Sequence, residues 1–347
     1  MNMHVYFPKP FSQLHTLSRV SKLLSLILFV SICTNVNSKN IPKVAEVFKV
    51  DDSIILYASE KDSGKRGGLE IFTIDSSGKN QRKLIPLTVR GRGEYDPHIS
   101  PDGRSISYTT YRYGGYKVAT QSLITNKVER ATKTPHYAYD GAYSPDGKKL
   151  VFNRVDTARS PWFRGPSELF ILDIDSGKQS RLTKTGQWNV HQSFSPDGSQ
   201  VVFASRQSNG DYQIALIDSD GGEIKLITNP DRMEFAPSYS PDGKYIAFLA
   251  IVDESIEVFV KPVKGGDERQ LTDNAKSERK ESWGDDNQIM WKYKTSWSPD
   301  ESKIAFASSM EGDYDIYVVD VATKQLARLT ESKELDIGPT WVKRLAR

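Results

Sequence analysis

The sequence has 347 residues, a formal net charge of +3, 26% charged and 37% hydrophobic residues, and a single cysteine. That length is ample for a self-sufficient core, and one cysteine excludes an intrachain disulfide framework. The basic excess lies wholly in the first 38 residues: without them 309 residues remain, Lys+Arg falls from 47 to 44 against 44 Asp+Glu, and the net charge is zero. A neutral remainder lacks the electrostatic footprint of a nucleic-acid binder.

Residues 1–38 read as an export signal. Lys9, Arg19 and Lys22 precede the apolar run 23–32, which is too short to span a bilayer well. Val36-Asn37-Ser38 then supplies a small-residue cleavage site. An uncleaved anchor helix is one alternative. A lipid-bearing Cys33 is another, but Ile32 stands where that modification needs a small residue. Cleavage after Ser38 would deliver residues 39–347 to the periplasm or beyond, with no membrane span left.

Beyond Ser38 the chain repeats. Short β-branched and aromatic runs bounded by Gly, Asp and Pro predict strands, beginning with Ile54–Tyr57, Leu69–Ile74 and Arg82–Thr88. Ser-Pro-Asp-Gly follows at 100–103, 144–147, 195–198 and 240–243, with Ser298-Pro299-Asp300-Glu301 as a degraded fifth copy. Proline fixes φ early in such a turn, and the final glycine accepts positive φ. Glu301 in that last place carries a cost of ~1–2 kcal/mol if the site is left-handed. An apolar residue precedes each turn, at Ile99, Tyr143, Phe194, Tyr239 and Trp297. Trp341 continues the series, with steps of 44, 51, 45, 58 and 44 residues. Each turn leads into an apolar triplet such as Val201-Val202-Phe203, then a strand such as Asp315–Asp320, then a strand ending in Leu-Thr or a variant. No amphipathic helical stretch of useful length intervenes.

A period of this length with four strands per repeat predicts propeller blades. We call the strands A to D, with A running into the Ser-Pro-Asp-Gly turn. The amino-terminal strands lack an A strand, and Thr340-Trp341-Val342 is an A strand with nothing after it. The two ends therefore complete one blade, and the fold class is an all-β, six-bladed propeller.

The aromatic-Ser-Pro-Asp-Gly turns, the apolar triplets, the Asp-Ile-Tyr-Val-Val-Asp strand and the Leu-Thr endings resemble the TolB-like propeller repeat, over roughly residues 50–345. The resemblance implies an exported binding protein. It does not carry over the partner contacts of the α/β domain that precedes the propeller in TolB proper, since only 15 residues separate Ser38 from the first predicted strand. Peptidases share the repeat, but this chain has no Gly-x-Ser-x-Gly nucleophile turn.

Strand direction puts the B–C and D–A loops on one face and the A–B turns on the other. The longest insertions, 156–166 and 273–293, fall on the first face, where loops commonly carry function. Trp162, Phe163, Arg164, Trp283, Trp291, Tyr111 and Arg112 are the expected anchors of a binding surface there. The starts of the A strands place Glu94, Asp96, Asp140, His191, Glu234 and Asp336 at the channel mouth, with Lys292 and Lys294 from the fifth blade. No cofactor is required, but Asp96, Asp140, Glu234 and Asp336 would suit Ca²⁺, and proteins similar to TolB hold calcium in the channel. His98, His136 and His191 are instead a candidate transition-metal set. The leading expectation is a non-enzymatic module binding an envelope protein or peptide, with no nucleic-acid partner. The alternative is a metal-assisted carbohydrate lyase or hydrolase.

Overall fold

The computed structural model describes residues 54–61, 68–89, 92–155, 165–228, 230–253, 255–274 and 292–342. The expected export segment 1–38 and the anchors Trp162, Phe163, Arg164, Trp283 and Trp291 lie outside the described residues.

The first sheet begins with β1 (Ile54–Ser59), β2 (Glu70–Asp75) and β3 (Arg82–Ile85). The second holds β4 (Tyr95–Ile99), β5 (Ser105–Thr110), β6 (Lys117–Ser122) and β7 (Val128–Arg130). The third holds β8 (Tyr137–Tyr143), β9 (Lys149–Val155), β10 (Ser167–Asp173) and β11 (Gln179–Arg181). The fourth holds β12 (Asn189–Phe194), β13 (Gln200–Arg206), β14 (Tyr212–Asp218) and β15 (Lys225–Leu226). The fifth holds β16 (Glu234–Tyr239), β17 (Tyr245–Val252), β18 (Ser255–Pro262) and β19 (Arg269–Gln270). The sixth holds β20 (Thr295–Trp297), β21 (Lys303–Ser308), β22 (Asp315–Asp320) and β23 (Leu326–Arg328). The last strand, β24 (Asp336–Trp341), returns to the first sheet and pairs antiparallel with β1, Leu56 opposite Thr340. The six sheets have four antiparallel strands each, and the inner strands β24, β4, β8, β12, β16 and β20 touch in sequence around a closed ring. The propeller expected from the repeats is the fold found.

Closure explains the burial pattern. Blades stack face to face, so a B strand is covered on both sides and runs almost continuously buried. Each contributes one buried aromatic ring: Tyr57, Tyr108, Phe152, Phe203, Phe248 and Phe306. Opposite them on the C strands sit Phe72, Ala119, Phe170, Ala215, Phe259 and Tyr317. A buried Phe changed to Ala costs ~3–5 kcal/mol. The outermost D strands β7, β11, β15 and β23 carry charged residues, which discourages edge-to-edge pairing.

The repeated motifs have local mechanisms. In the first turn Asp102 Oδ1 accepts from Ser100 Oγ at 2.6 Å and from the Arg104 N–H at 3.0 Å, and Gly103 has φ 64. Three turn prolines pack under the next blade's turn glycine: a Cβ on Gly147 would lie 3.6 Å from Pro101 Cδ, one on Gly198 3.5 Å from Pro145 Cδ, and one on Gly243 3.5 Å from Pro196 Cδ. Glu301 adopts φ 63, so the left-handed conformation expected of the degraded turn is realised. The threonine of the Leu-Thr ending is a latch: Thr183, Thr272 and Thr330 Oγ1 each accept a C-strand N–H at 2.9 Å.

Candidate functional site: the central cavity

The inner strands are not regular. A bulge interrupts β4, β8, β12, β16 and β24 against their B strands. Three residues before Ile99, Tyr143, Phe194, Tyr239 and Trp341, the backbone turns left-handed at Asp96, Asp140, His191, Ala236 and Gly338, with φ between 52 and 62. Side chains are aimed into the channel by such bulges, and holding non-glycine residues there needs firm support. The support is inter-blade. Thr109 Oγ1 accepts from the Asp140 N–H at 2.9 Å and donates to Asp96 Oδ2 at 3.0 Å. Thr295 Oγ1 donates to the Ala236 carbonyl at 2.7 Å. Trp297 Nε1 donates to the Ser238 carbonyl at 3.2 Å.

These residues enclose a cavity of about 370 Å³. Its polar end holds Asp96, His98, Asp140, His191 and Lys294, and its collar holds Tyr143, Phe194, Tyr239, Trp297 and Trp341. The lining continues to Pro101, Pro145, Pro196 and Pro241, so the cavity reaches the A–B turn face. Among the described residues no B–C loop lines it, and most of the insertions 156–166 and 273–293 lies outside the described residues.

Charge at the polar end is balanced internally. Lys294 Nζ lies 2.5 Å from His98 Nε2 and 3.8 Å from Asp140 Oδ1, while His98 Nε2 lies 3.1 Å from the same carboxylate oxygen. The ring nitrogen accepts from the ammonium when it has no proton and donates to Asp140 when it has one. Burial and then the Lys294 charge pull the His98 pKa down to about 4. Burial would raise Asp140, but Lys294 and His98 outweigh it and hold it at about 2. Burial and the Asp140 charge push Asp96 well up. Burial lowers Lys294 against the pull of both carboxylates. These shifts leave Asp140 ionised and His98 neutral at neutral pH, move Asp96 towards its protonated form and loosen the proton on Lys294. His191 Nδ1 accepts the Ala236 N–H at 3.3 Å, which leaves its proton on Nε2.

The expected channel-mouth set therefore divides. Asp96, Asp140 and His191 line the cavity, and Glu94, Glu234 and Asp336 do not. Those three sit two residues earlier on their strands, where the bulge puts side chains inside the blade. Glu94 accepts from Thr88 Oγ1, Glu234 from Arg232 Nε at 2.9 Å, and Asp336 from Ser332 Oγ at 3.1 Å. The calcium quartet is not gathered. The histidine set is not gathered either: His98 and His191 line the cavity, whereas His136 lies before β8 and its carbonyl accepts from Lys117 Nζ at 2.8 Å. Among the described residues no group of three or more His, Cys, Asp or Glu could hold a metal ion. Tyr111 and Arg112 are half-buried on the β5–β6 loop, outside the cavity. Sequence reasoning used the series aromatics as register marks and missed that they form the collar. Their recurrence was the signal.

Residues 42–295 match the family described as the PD40 TolB beta propeller domain. The chain belongs to the TolB β-propeller family. It is similar to a protein TolB homolog of Chlorobium chlorochromatii, 30% identical over 148 residues, covering 41% of this chain and 30% of that one. It is also similar to a Tol-Pal system protein TolB of Francisella tularensis subsp. mediasiatica, 30% identical over 114 residues, covering 33% of this chain and 25% of that one. This TolB-family chain thus spans under a third of the length of these curated relatives. Among solved structures, TolB from Acinetobacter baumannii superposes with TM-score 0.67 at 19% identity, covering 84% of this chain and 67% of that one. An oligogalacturonate lyase in complex with manganese superposes with TM-score 0.56 at 18% identity, covering 82% and 75%. Both structural likenesses speak to the fold alone.

Proposed function

We propose that the chain is an exported, non-enzymatic binding module of the cell envelope, and that a peptide segment of a partner protein enters the central cavity from the A–B turn face. One observation carries this. Gln192 Oε1, Ser193 Oγ, Tyr239 Oη, Thr340 Oγ1 and Trp341 Nε1 are buried in the cavity lining without a hydrogen-bond partner. Leaving a buried polar group unsatisfied costs ~1–3 kcal/mol, so a ligand that draws these side chains into the cavity and pairs with them is favoured. The set mixes donors and acceptors, as a peptide backbone demands, and the aromatic collar suits apolar side chains. Envelope residence accords with the TolB names of the curated relatives and with the signal-like residues 1–38.

The test is a photo-crosslinker at Tyr143 in the cavity collar, with one at exposed Tyr245 as control, in envelope extracts. The expected result is one discrete protein crosslinked only from the cavity. Its purified peptide should then bind more weakly to a Ser193→Ala, Thr340→Val variant. Equal crosslinking from both positions, or turnover of an oligosaccharide by the purified chain, would refute the reading.

A further inference from the structure

On the face opposite the Ser-Pro-Asp-Gly turns, the β3–β4, β5–β6 and β7–β8 connections converge on a tyrosine cluster. Tyr116 is its centre, with ring centroids 5.5 Å from Tyr95, 5.1 Å from Tyr111 and 6.2 Å from Tyr137. Cations surround it. The exposed Arg92 guanidinium lies 4.6 Å over the Tyr111 ring, and Lys117 Nζ lies 5.6 Å over Tyr137. Arg130 lies 5.8 Å over the adjoining Tyr113. Arg112, beside Tyr111 on the same loop, has a buried Nε with no hydrogen-bond partner.

Direct ion pairing does not neutralise this charge among the described residues. Among the described residues Arg92, Arg112, Lys117 and Arg130 form no ion pair with a carboxylate. Lys117 is buried, and among the described residues its ammonium donates to the carbonyls of Tyr116 at 3.2 Å and His136 at 2.8 Å. Glu94, which feels the Arg112 charge, is itself buried. A cluster of arginine and tyrosine without a directly paired carboxylate is the composition of an interface hot spot for an anionic partner.

We propose that this platform docks an acidic polypeptide segment, rich in Asp and Glu. Cations lie over the rings of Tyr111 and Tyr137, so the surface offers ring-supported guanidinium donors in place of bare rings for a sugar to stack on. Arginine forks match carboxylates in pairs. The site is distinct from the central cavity and stands whether or not the cavity takes a peptide.

The test uses residues 39–347 and a short fluorescein-labelled Asp/Glu-rich peptide, read by fluorescence anisotropy at low salt. Binding should appear, weaken as salt is raised, and fall roughly tenfold, the equivalent of about 1.4 kcal/mol, in an Arg92→Ala, Arg112→Ala variant with an unchanged melting curve. Lys264→Ala, at an exposed lysine in the β18–β19 turn, should bind like the parent. The proposal is overturned by no binding at low salt, by an equal loss in Lys264→Ala, or by trigalacturonate competing as well as the unlabelled peptide. Should the double variant melt early, Tyr111→Phe (binding kept) against Tyr111→Ala (binding lost) makes the same decision.

Discussion

Replacing Lys294 by methionine removes the only ammonium at the polar end of the cavity among the described lining residues and leaves Asp140 buried without its counter-ion. At 3.8 Å and an effective dielectric constant of about 20, the attraction lost is ~4 kcal/mol. That agrees with the ~3–5 kcal/mol seen on breaking buried pairs from one side. For a domain of this size it corresponds to a fall in Tm of roughly 10 °C. The loss should shrink as the pH is lowered, because Asp140 then takes a proton and its charge disappears. Asp140→Asn alone strands the lysine and should also destabilise. The double variant Lys294→Met, Asp140→Asn should recover most of the loss, a coupling of ~3 kcal/mol in a double-mutant cycle. Urea denaturation and calorimetry of the four proteins measure this. Additive effects, with coupling below about 0.5 kcal/mol, would refute the description of the cavity floor as an internally neutralised ion pair.

Further outcomes follow from single residues. His98 has a folded pKa near 4, below its ordinary 6.5, so its contribution is complete above pH 6.5 and is lost as the pH falls towards 4. Relative to His98→Gln, the parent should lose ~3 kcal/mol over that interval in pH-dependent denaturation. Glu234 runs the other way, because burial raises it to about 7 from 4.5. Its contribution is complete below 4.5 and is lost as the pH rises through 7, so Glu234→Gln should gain ~3 kcal/mol on the parent between pH 4.5 and pH 8. Glu301→Gly relieves a φ of 63 and should raise stability by ~0.5–1 kcal/mol, seen as a higher urea midpoint. Gly141→Ala would set a Cβ 2.5 Å from Val118 Cγ1 of the neighbouring blade, and should lower stability by ~1–3 kcal/mol in the same assay.

The ring was legible because its information is local and repeated. Proline in each turn, and glycine in four of the five, dictate backbone angles, and the short apolar runs that follow mark the strands, so five turn copies fix the blades without reference to distant contacts. The complementary ends supplied the only long-range inference, and the pairing of Leu56 with Thr340 matches it. The cavity was legible only in part. Asp96, Asp140 and His191 share a register position, whereas Glu94, Glu234 and Asp336 lie two residues earlier and look equivalent in a regular strand. The bulge separates the two sets, and no residue pattern announces it, since Asp, His, Ala and Gly all occupy its left-handed position. Lys294, before the Trp297 strand, was recognised as a departure from the acidic pattern. Its pairing with Asp140 crosses from blade to blade and depends on the ring's diameter, a quantity that local sequence does not encode. The unpartnered polar atoms of the collar are likewise a property of packing.

Cavity and cationic platform alike depend on β24 sealing the disc against β1. The direct measurement is a Leu56→Cys, Thr340→Cys pair in a chain with Cys33 changed to serine, refolded under mild oxidation. Quantitative intramolecular disulfide formation with native circular dichroism and a higher melting temperature is the expected result, since paired strand positions lie within disulfide reach. Free thiols or disulfide-linked dimers in a folded, monodisperse preparation would contradict the closed ring and both sites built on it.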